Sequence, residues 1–273
     1  MCITYKSCAN TNSLFITKME ELKNAKVSIV TPLFNSEHYV EETIKSVLEQ
    51  THENWEWVIV DDMSIDNSYK IVHAYASKDN RIILLRNRQN LGAALSRNIG
   101  IIAATGQFLT FIDSDDLWFP EFIENSLKTV NDLQCGFVFS SYERWNETMT
   151  RKYDTFIVPK KINYTNLLYT CPISCLTAFI DIHKYGKILM PNIKKRQDFA
   201  LWLEYLKIIP FAVGNKKPLA KYRIRENSLS RRKSKVISYQ FNVYYNHQKL
   251  GLLKSVFFLV CWAVNGMKKY SKI

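Results

Sequence analysis

Several features are missing from this chain of 273 residues, and each absence narrows what it can be. No window holds the roughly 20 consecutive apolar residues that a membrane-spanning helix needs. The longest run, VFFLVCWAV at 256–264, is about half that, so the chain is expected not to cross a bilayer. The start, MCITYKSCANTNSLFITK, lacks the basic-then-apolar order of a secretory signal. Residues 1–26 are therefore expected to be an extension, with Met19 as an alternative start. The cysteines, Cys2, Cys8, Cys135, Cys171, Cys175 and Cys261, include no C-x-x-C pair. A reduced, cytoplasmic protein without a zinc knuckle is the expectation. No repeat or low-complexity linker marks off a second domain, and with 47% hydrophobic residues one large core can form.

What is abundant is positive charge. The formal net charge is +12, and much of it is C-terminal: Lys216, Lys217, Lys221, Arg223, Arg225, Arg231, Arg232, Lys233 and Lys235 lie together with only Glu226 against them. Charge speaks to partners rather than to fold. Nucleic acid, anionic lipid and a phosphate-bearing small molecule all fit, and the patch alone does not choose.

From residue 27 strand-like and helix-like segments alternate. VSIVT (27–31) is a β-branched apolar run that Pro32 is expected to stop. Asn35 or Ser36 is then placed to cap a helix carrying Val40, Ile44, Val47 and Leu48 on one side. WEWVIV (55–60), RIILL (81–85) and QFLTFI (107–112) read as the next strands. A helix over 91–104 would present Leu91, Leu95, Ile99 and Ile102 as its stripe. Further on, CGFVFSSY and LTAFID read as strands, and KRQDFALWLEYLK (195–207) as a helix with Phe199, Leu203 and Leu206 on one side.

This βαβαβαβ order predicts an α/β fold, a mostly parallel central sheet flanked by helices, with ligands bound at the carboxyl ends of the strands. The acidic residues fall there: Asp61 and Asp62 follow the second strand, and Asp113, Asp115 and Asp116 follow the fourth. Clustered carboxylates repel and resist desolvation, so two such strand ends on one edge point to a cation and its anionic ligand.

Five segments in order, VSIVTPLFN, VIVDDMSIDNS, NLGAALSRNIG, FIDSDD and RQDFALWL, resemble the family 2 inverting glycosyltransferases of the GT-A fold. The likeness spans roughly 27–235, which it marks as the catalytic domain, leaving 236–273 as a basic, apolar helical tail. It implies that Pro32 and Phe34 frame a uracil and that Asp62 hydrogen-bonds it; a strand stop and a core aromatic would also account for the first two. Within the D-x-D stretch, it implies that Asp113 touches the ribose and that Asp115 holds Mn²⁺ or Mg²⁺ on the donor diphosphate. Asp116 is expected to cap a helix starting near Trp118. In the N-x-G-x-x-x-x-R-N segment, Gly92 would allow close packing at a helix start, and Arg97 would support the site or touch a phosphate. Asp198, in Gln197-Asp198 where the family often has Glu-Asp, takes the place of the catalytic base; a solvated helix-end Asp is the plainer alternative.

The resemblance thus implies an inverting, metal-dependent transfer of sugar from a UDP-sugar to a hydroxyl of a glycan acceptor, with no nucleic acid as partner. Bacterial enzymes building surface polysaccharide have this size, and their acceptors are lipid-diphosphate-linked. The apolar, basic tail could lie on an anionic membrane or simply pack on the domain. Two rivals remain at this point. A nucleic-acid-binding protein has no use for strand-end carboxylates. A sugar-nucleotide nucleotidyltransferase usually carries a Gly-rich phosphate loop after the first strand, and TPLFNSEH has no glycine.

Overall fold

A computed structural model describes residues 24–225 and 233–270, without the side chains of 233–235 and 267–270. The extension expected at the N-terminus therefore lies, up to residue 23, outside the described residues, as do Arg231 and Arg232 of the basic cluster.

Four strands open the fold: β1 (Val27–Leu33), β2 (Trp55–Asp61), β3 (Ile82–Arg86) and β4 (Phe108–Phe111). Between them lie α1 (Val40–Leu48), α2 (Ser68–Ala76) and α3 (Ala93–Ala103). The chain continues through β5 (Leu117–Trp118), α4 (Phe122–Leu133), β6 (Phe137–Asn146), β7 (Lys152–Phe156), β8 (Lys161–Ile162) and α5 (Tyr164–Tyr169). It ends with β9 (Phe179–Asp181), α6 (Ile182–Tyr185), α7 (Gln197–Ile208), β10 (Ala212–Ile224), α8 (Lys233–Asn242) and α9 (Leu252–Tyr270).

All ten strands join one sheet, ordered β3-β2-β1-β4-β9-β6-β10-β5, with β7 on β6 and β8 on β10. The run β3-β2-β1-β4 is parallel, and so is the β6–β10 pair. The short β9 is antiparallel to both β4 and β6 and so joins these halves. Because side chains alternate across a strand, the sheet divides the core in two. Val27, Ile29 and Leu33 of β1 face α1 and α4, whereas Val30 faces α3 and α7.

Several local expectations are corrected. Pro32 does not stop β1, which runs on to Leu33. On the β4 side, pairing ends at Val30, so beyond that point β1 pairs with β2 alone and no ladder bond to β4 is lost at Pro32. Neither Asn35 nor Ser36 caps α1, which starts at Val40 after a turn in which the Tyr39 and Val40 amides donate to the Ser36 carbonyl. The expected stripe of α3 is the wrong face: Leu91, Leu95 and Ile99 are only partly covered and Ile102 is exposed, while Ala94, Arg97, Gly100 and Ile101 are buried. The helix lies close on β1 through its small residues; a Cβ on Gly100 would stand 2.4 Å from Val30 Cγ1. Finally, LTAFID contributes a strand only at Phe179–Asp181, after a 3₁₀ turn at Cys175–Thr177.

Candidate functional site

The loops after β1 and β4 are tied side by side. Thr31 Oγ1 donates to the Ile112 carbonyl at 2.6 Å, and the Ser36 and Ser114 hydroxyls share a hydrogen bond of 2.7 Å. Phe34 stands at this edge with 48% of its surface exposed, so it is not a core aromatic. Pro32, two residues earlier in the strand, is half-buried.

Asp62, at the end of β2, is held from the other side. Its Oδ1 accepts from Asn87 Nδ2 and from the Leu91 amide, both at 2.7 Å, and its Oδ2 accepts from the Gly92 amide at 2.8 Å. A carboxylate offers about four lone-pair positions, so little of Asp62 remains for a ligand. Asn90 Nδ2 completes the clasp on the Asp62 carbonyl at 3.1 Å. Gly92, the residue before α3, has φ of 85° and open space where a Cβ would be, so it is backbone conformation rather than close packing that asks for glycine. A concavity of about 660 Å³ is lined by Arg86, Asn87, Arg88, Gln89 and Leu91 and contains none of the acidic cluster.

The acidic cluster after β4 is matched by arginines. Arg97, buried on α3, makes an ion pair with Asp113. Arg225, just past β10, places Nη1 3.0 Å from Asp115 Oδ2. Asp116 is buried, and its Oδ1 accepts from the Arg223 amide at 2.8 Å. It is not a helix cap, because Trp118 lies in β5 and α4 begins only at Phe122. Burial and the neighbouring Asp115 and Asp113 charges push the Asp116 carboxyl well above its ordinary value. Burial and Asp113 likewise raise Asp115, and Arg225 works against them. The basic residues of β10 are therefore not one solvated patch: Arg223 is buried, with its guanidinium on Glu42, the Asp115 carbonyl and the Glu147 carbonyl.

Asp198 is brought to this edge by the residue next to Arg97. Asn98 clasps Met190, donating to its carbonyl at 2.8 Å and accepting from its amide at 2.7 Å, and so fixes the segment that leads into α7. Arg196 enters α7 in the left-handed region, φ 68°, and Asp198 lies in the first turn. Asn35 and Met63, at the ends of β1 and β2, are left-handed too. Such conformations cost non-glycine residues on the order of 1 kcal/mol or more and gather at functional edges. Asp113 and Asp198 both act electrostatically on Arg97, and burial pushes the nearby Cys175 thiol up strongly, keeping it neutral. Among the described residues, the Asp198 carboxylate takes no hydrogen bond or ion pair.

The structure thus pairs Asp113 with Arg97, puts Asp198 near enough to act electrostatically on the same guanidinium and Asp115 two residues beyond Asp113, and leaves Phe34 on the adjoining loop with Pro32 in the strand before it. The 87–92 loop takes three of the Asp62 carboxylate's roughly four lone-pair positions and leaves one unused. Sequence reasoning did not single out Arg225, which lies in a segment recognised only as a whole, nor Tyr39, whose ring lies 4.6 Å beneath the Arg225 guanidinium and whose hydroxyl donates to Glu147 at 2.5 Å. No periodicity or motif marks Tyr39.

Among the described residues, no group of three or more His, Cys, Asp or Glu could hold a metal unaided. A cation whose coordination is mostly completed by a diphosphate needs fewer. Asp115 fits that smaller requirement: it is a partly exposed carboxylate whose charge is opposed by Asp113, and a cationic group already rests on one of its oxygens.

Comparison with known proteins accords with this geometry. The family model described as "Glycosyl transferase family 2" matches residues 28–223. A protein of Bacillus subtilis named as a putative teichuronic acid biosynthesis glycosyltransferase is 38% identical over 89% of this chain and 96% of its own length. An Escherichia coli UDP-Glc:alpha-D-GlcNAc-diphosphoundecaprenol beta-1,3-glucosyltransferase is 34% identical over 90% of this chain and 95% of its own. Among solved structures, S. aureus TarS 1-349 in complex with UDP superposes with a TM-score of 0.68 at 19% identity, covering 89% of this chain and 72% of that one. A Pyrobaculum calidifontis mannosyltransferase with GDP-Man and Mn²⁺ gives a TM-score of 0.59 at 14% identity, covering 96% and 84%. These two likenesses speak to the fold.

Proposed function

The chain belongs to glycosyltransferase family 2 and is a glycosyltransferase of GT-A fold, and from that premise we propose that it transfers a sugar from a UDP-sugar, with inversion, to a hydroxyl of a lipid-diphosphate-linked glycan in bacterial surface-polysaccharide synthesis. The observation that carries the reading is that Asp113 and Asp198 both act electrostatically on Arg97 while only Asp113 is in an ion pair with it. One carboxylate at the edge is compensated, and the other is left able to accept a proton.

Inversion by one displacement requires a base on the acceptor hydroxyl and charge stabilisation on the opposite side. Asp198 takes the hydroxyl proton as the acceptor oxygen bonds to the anomeric carbon and the bond to the diphosphate breaks. Arg225 and Arg97 supply positive charge near the leaving group. Phe34 lies against the uracil, Pro32 supports it, and Asp62 accepts from the base with its remaining lone pair. Asp113 accepts from the ribose. Asp115 would hold a divalent cation, Mn²⁺ or Mg²⁺, which when bound would supply further counter-charge to the diphosphate. The UDP donor and the lipid-diphosphate acceptor are taken from the name of the Escherichia coli relative.

The test is nucleotide release from UDP-glucose, UDP-GlcNAc and GDP-mannose in the presence of Mn²⁺ and a GlcNAc-diphosphate-polyprenol. Acceptor-dependent release of UDP with a β-linked product is expected. Release of GDP alone, or product with retained configuration, contradicts the proposal.

A further inference from the structure

The helix α9 has two unlike sides. Leu253, Val256, Phe257, Val260 and Val264 recur at three- and four-residue intervals, which at about 100° per residue confines them to an arc of roughly 100°. All are exposed, Leu253 at 86% and Phe257 at 53%. The other side holds the helix to the domain. Ser255 is fully buried, the Phe258 ring lies 5.1 Å from that of Tyr169, and Asn265 Nδ2 donates to the Tyr169 carbonyl at 3.2 Å. Trp262 lies 4.8 Å under the guanidinium of Arg196. The helix is thus fixed in place while presenting a continuous apolar stripe to solvent, and among the described residues no helix is long and apolar enough to cross a membrane.

Charge decides what the stripe fits. After Glu226 the sequence has no Asp or Glu, while Lys249 and Lys254 flank the start of α9 and Lys268 and Lys269 fall in its last turn. A second copy docked symmetrically would set this acid-free, lysine-bearing surface against itself. An anionic bilayer takes both features at once, the apolar side chains below the headgroups and the lysines among them.

We propose that the solvent side of α9 seats on an anionic phospholipid surface and, through Trp262 and Arg196, sets the Asp198 end of the site beside the membrane. Arg196 lies two residues before Asp198 and enters the same helix, so the docked face and the candidate base belong to one rigid connection. The docking stands on the stripe and the charge; its use, keeping a lipid-linked acceptor in the bilayer during transfer, rests on the proposed function.

The experiment compares the full chain with a Leu253→Gln/Phe257→Gln/Val260→Gln variant in sedimentation with vesicles of phosphatidylcholine and phosphatidylglycerol in equal parts, and of phosphatidylcholine alone. Leu253 and Val260 are mostly exposed and Phe257 is half so, with its ring edge-on to Tyr169 at 6.2 Å, so the melting temperature should fall by a few degrees at most and the thermal shift with UDP should be unchanged. The wild type should sediment with the anionic vesicles at low salt and the variant about tenfold more weakly, with apolar insertion giving the wild type a residue of binding at high salt. Transfer to a short-chain, water-soluble acceptor should be equal in the two, while transfer to acceptor embedded in anionic vesicles should fall about tenfold in the variant. A wild type that ignores anionic vesicles, a variant that binds them as well, or a stripe-dependent dimer seen in sedimentation equilibrium without vesicle binding each overturn the docking. Intact transfer in solution would then leave the proposed reaction standing, whereas vesicle binding without any donor turnover would overturn the reaction and leave the docking.

Discussion

Arg225 Nη1 rests 3.0 Å from Asp115 Oδ2, so the carboxylate assigned to the metal has a resident cation of its own. The guanidinium is supported from below by the Tyr39 ring, 4.6 Å away. On the proposed reading a divalent ion at Asp115 would have to share or displace this pairing, and a like charge a few ångströms away would disfavour its binding. Arg225→Ala is therefore expected to bind Mn²⁺ severalfold tighter in the absence of nucleotide, read from the paramagnetic resonance of free Mn²⁺, and to bind metal-free UDP more weakly. Asp115→Ala should lose the Mn²⁺ site. Unchanged or weaker Mn²⁺ binding by Arg225→Ala removes Arg225 as the competing charge.

Gly100 allows α3 to lie directly on Val30 of β1. Gly100→Ala should lower stability by about 1–3 kcal/mol through overpacking, despite alanine's better helix propensity. Val30→Ala should itself be destabilising, because Val30 is buried in the core, but the double variant should lose less than the sum of the two, since the Cγ1 atom crowding the new Cβ position is gone. Denaturant unfolding measures both; a stabilised Gly100→Ala would show that the helix can move away at little cost.

Glu56 gives the fold an acid-sensitive joint. Burial raises its pKa, but Lys26, Ser28 and Thr105 outweigh this and leave it at about 2. Lys26 Nζ, Ser28 Oγ and Thr105 Oγ1 each lie 2.6 Å from the carboxylate. A depressed folded pKa stabilises above the unfolded value of about 4.5 and is lost as pH falls toward about 2. The contribution is on the order of a few kcal/mol. Urea midpoints between pH 5 and pH 2 should fall less steeply for Glu56→Gln than for wild type; parallel slopes would contradict this.

The succession of the first four strands along the chain and the acidic strand ends were legible because period and strand-end chemistry are local. VSIVT, WEWVIV and the DSD stretch each carry their signal within a few residues. The face of α3 was not legible. Its buried residues are Ala94, Ser96, Arg97, Asn98, Gly100 and Ile101, of which only Ile101 carries a large apolar side chain, so no apolar stripe marks this face before the close approach to β1 and the Arg97–Asp113 pair are known. Asp116 was misplaced for a similar reason: its partner, the Arg223 amide, is 107 positions away in sequence. The pairing of Asn98 with Met190, which delivers Asp198 to the site, spans 92 positions and leaves no mark in either segment. Local pattern located the chemistry, while long-range hydrogen bonds decided which side chains are free to perform it.

The central claim is that Asp198 is the base, and the most direct measurement is transfer rate alongside UDP affinity in Asp198→Asn. Asparagine keeps the shape but cannot take the proton, so the rate should fall roughly 10²-fold or more. UDP and Mn²⁺ affinity and the melting temperature should stay at wild-type values, since Asp198 makes no hydrogen bond or ion pair among the described residues. A variant that retains turnover per folded molecule, or one that loses UDP binding and catalysis equally, would contradict the account.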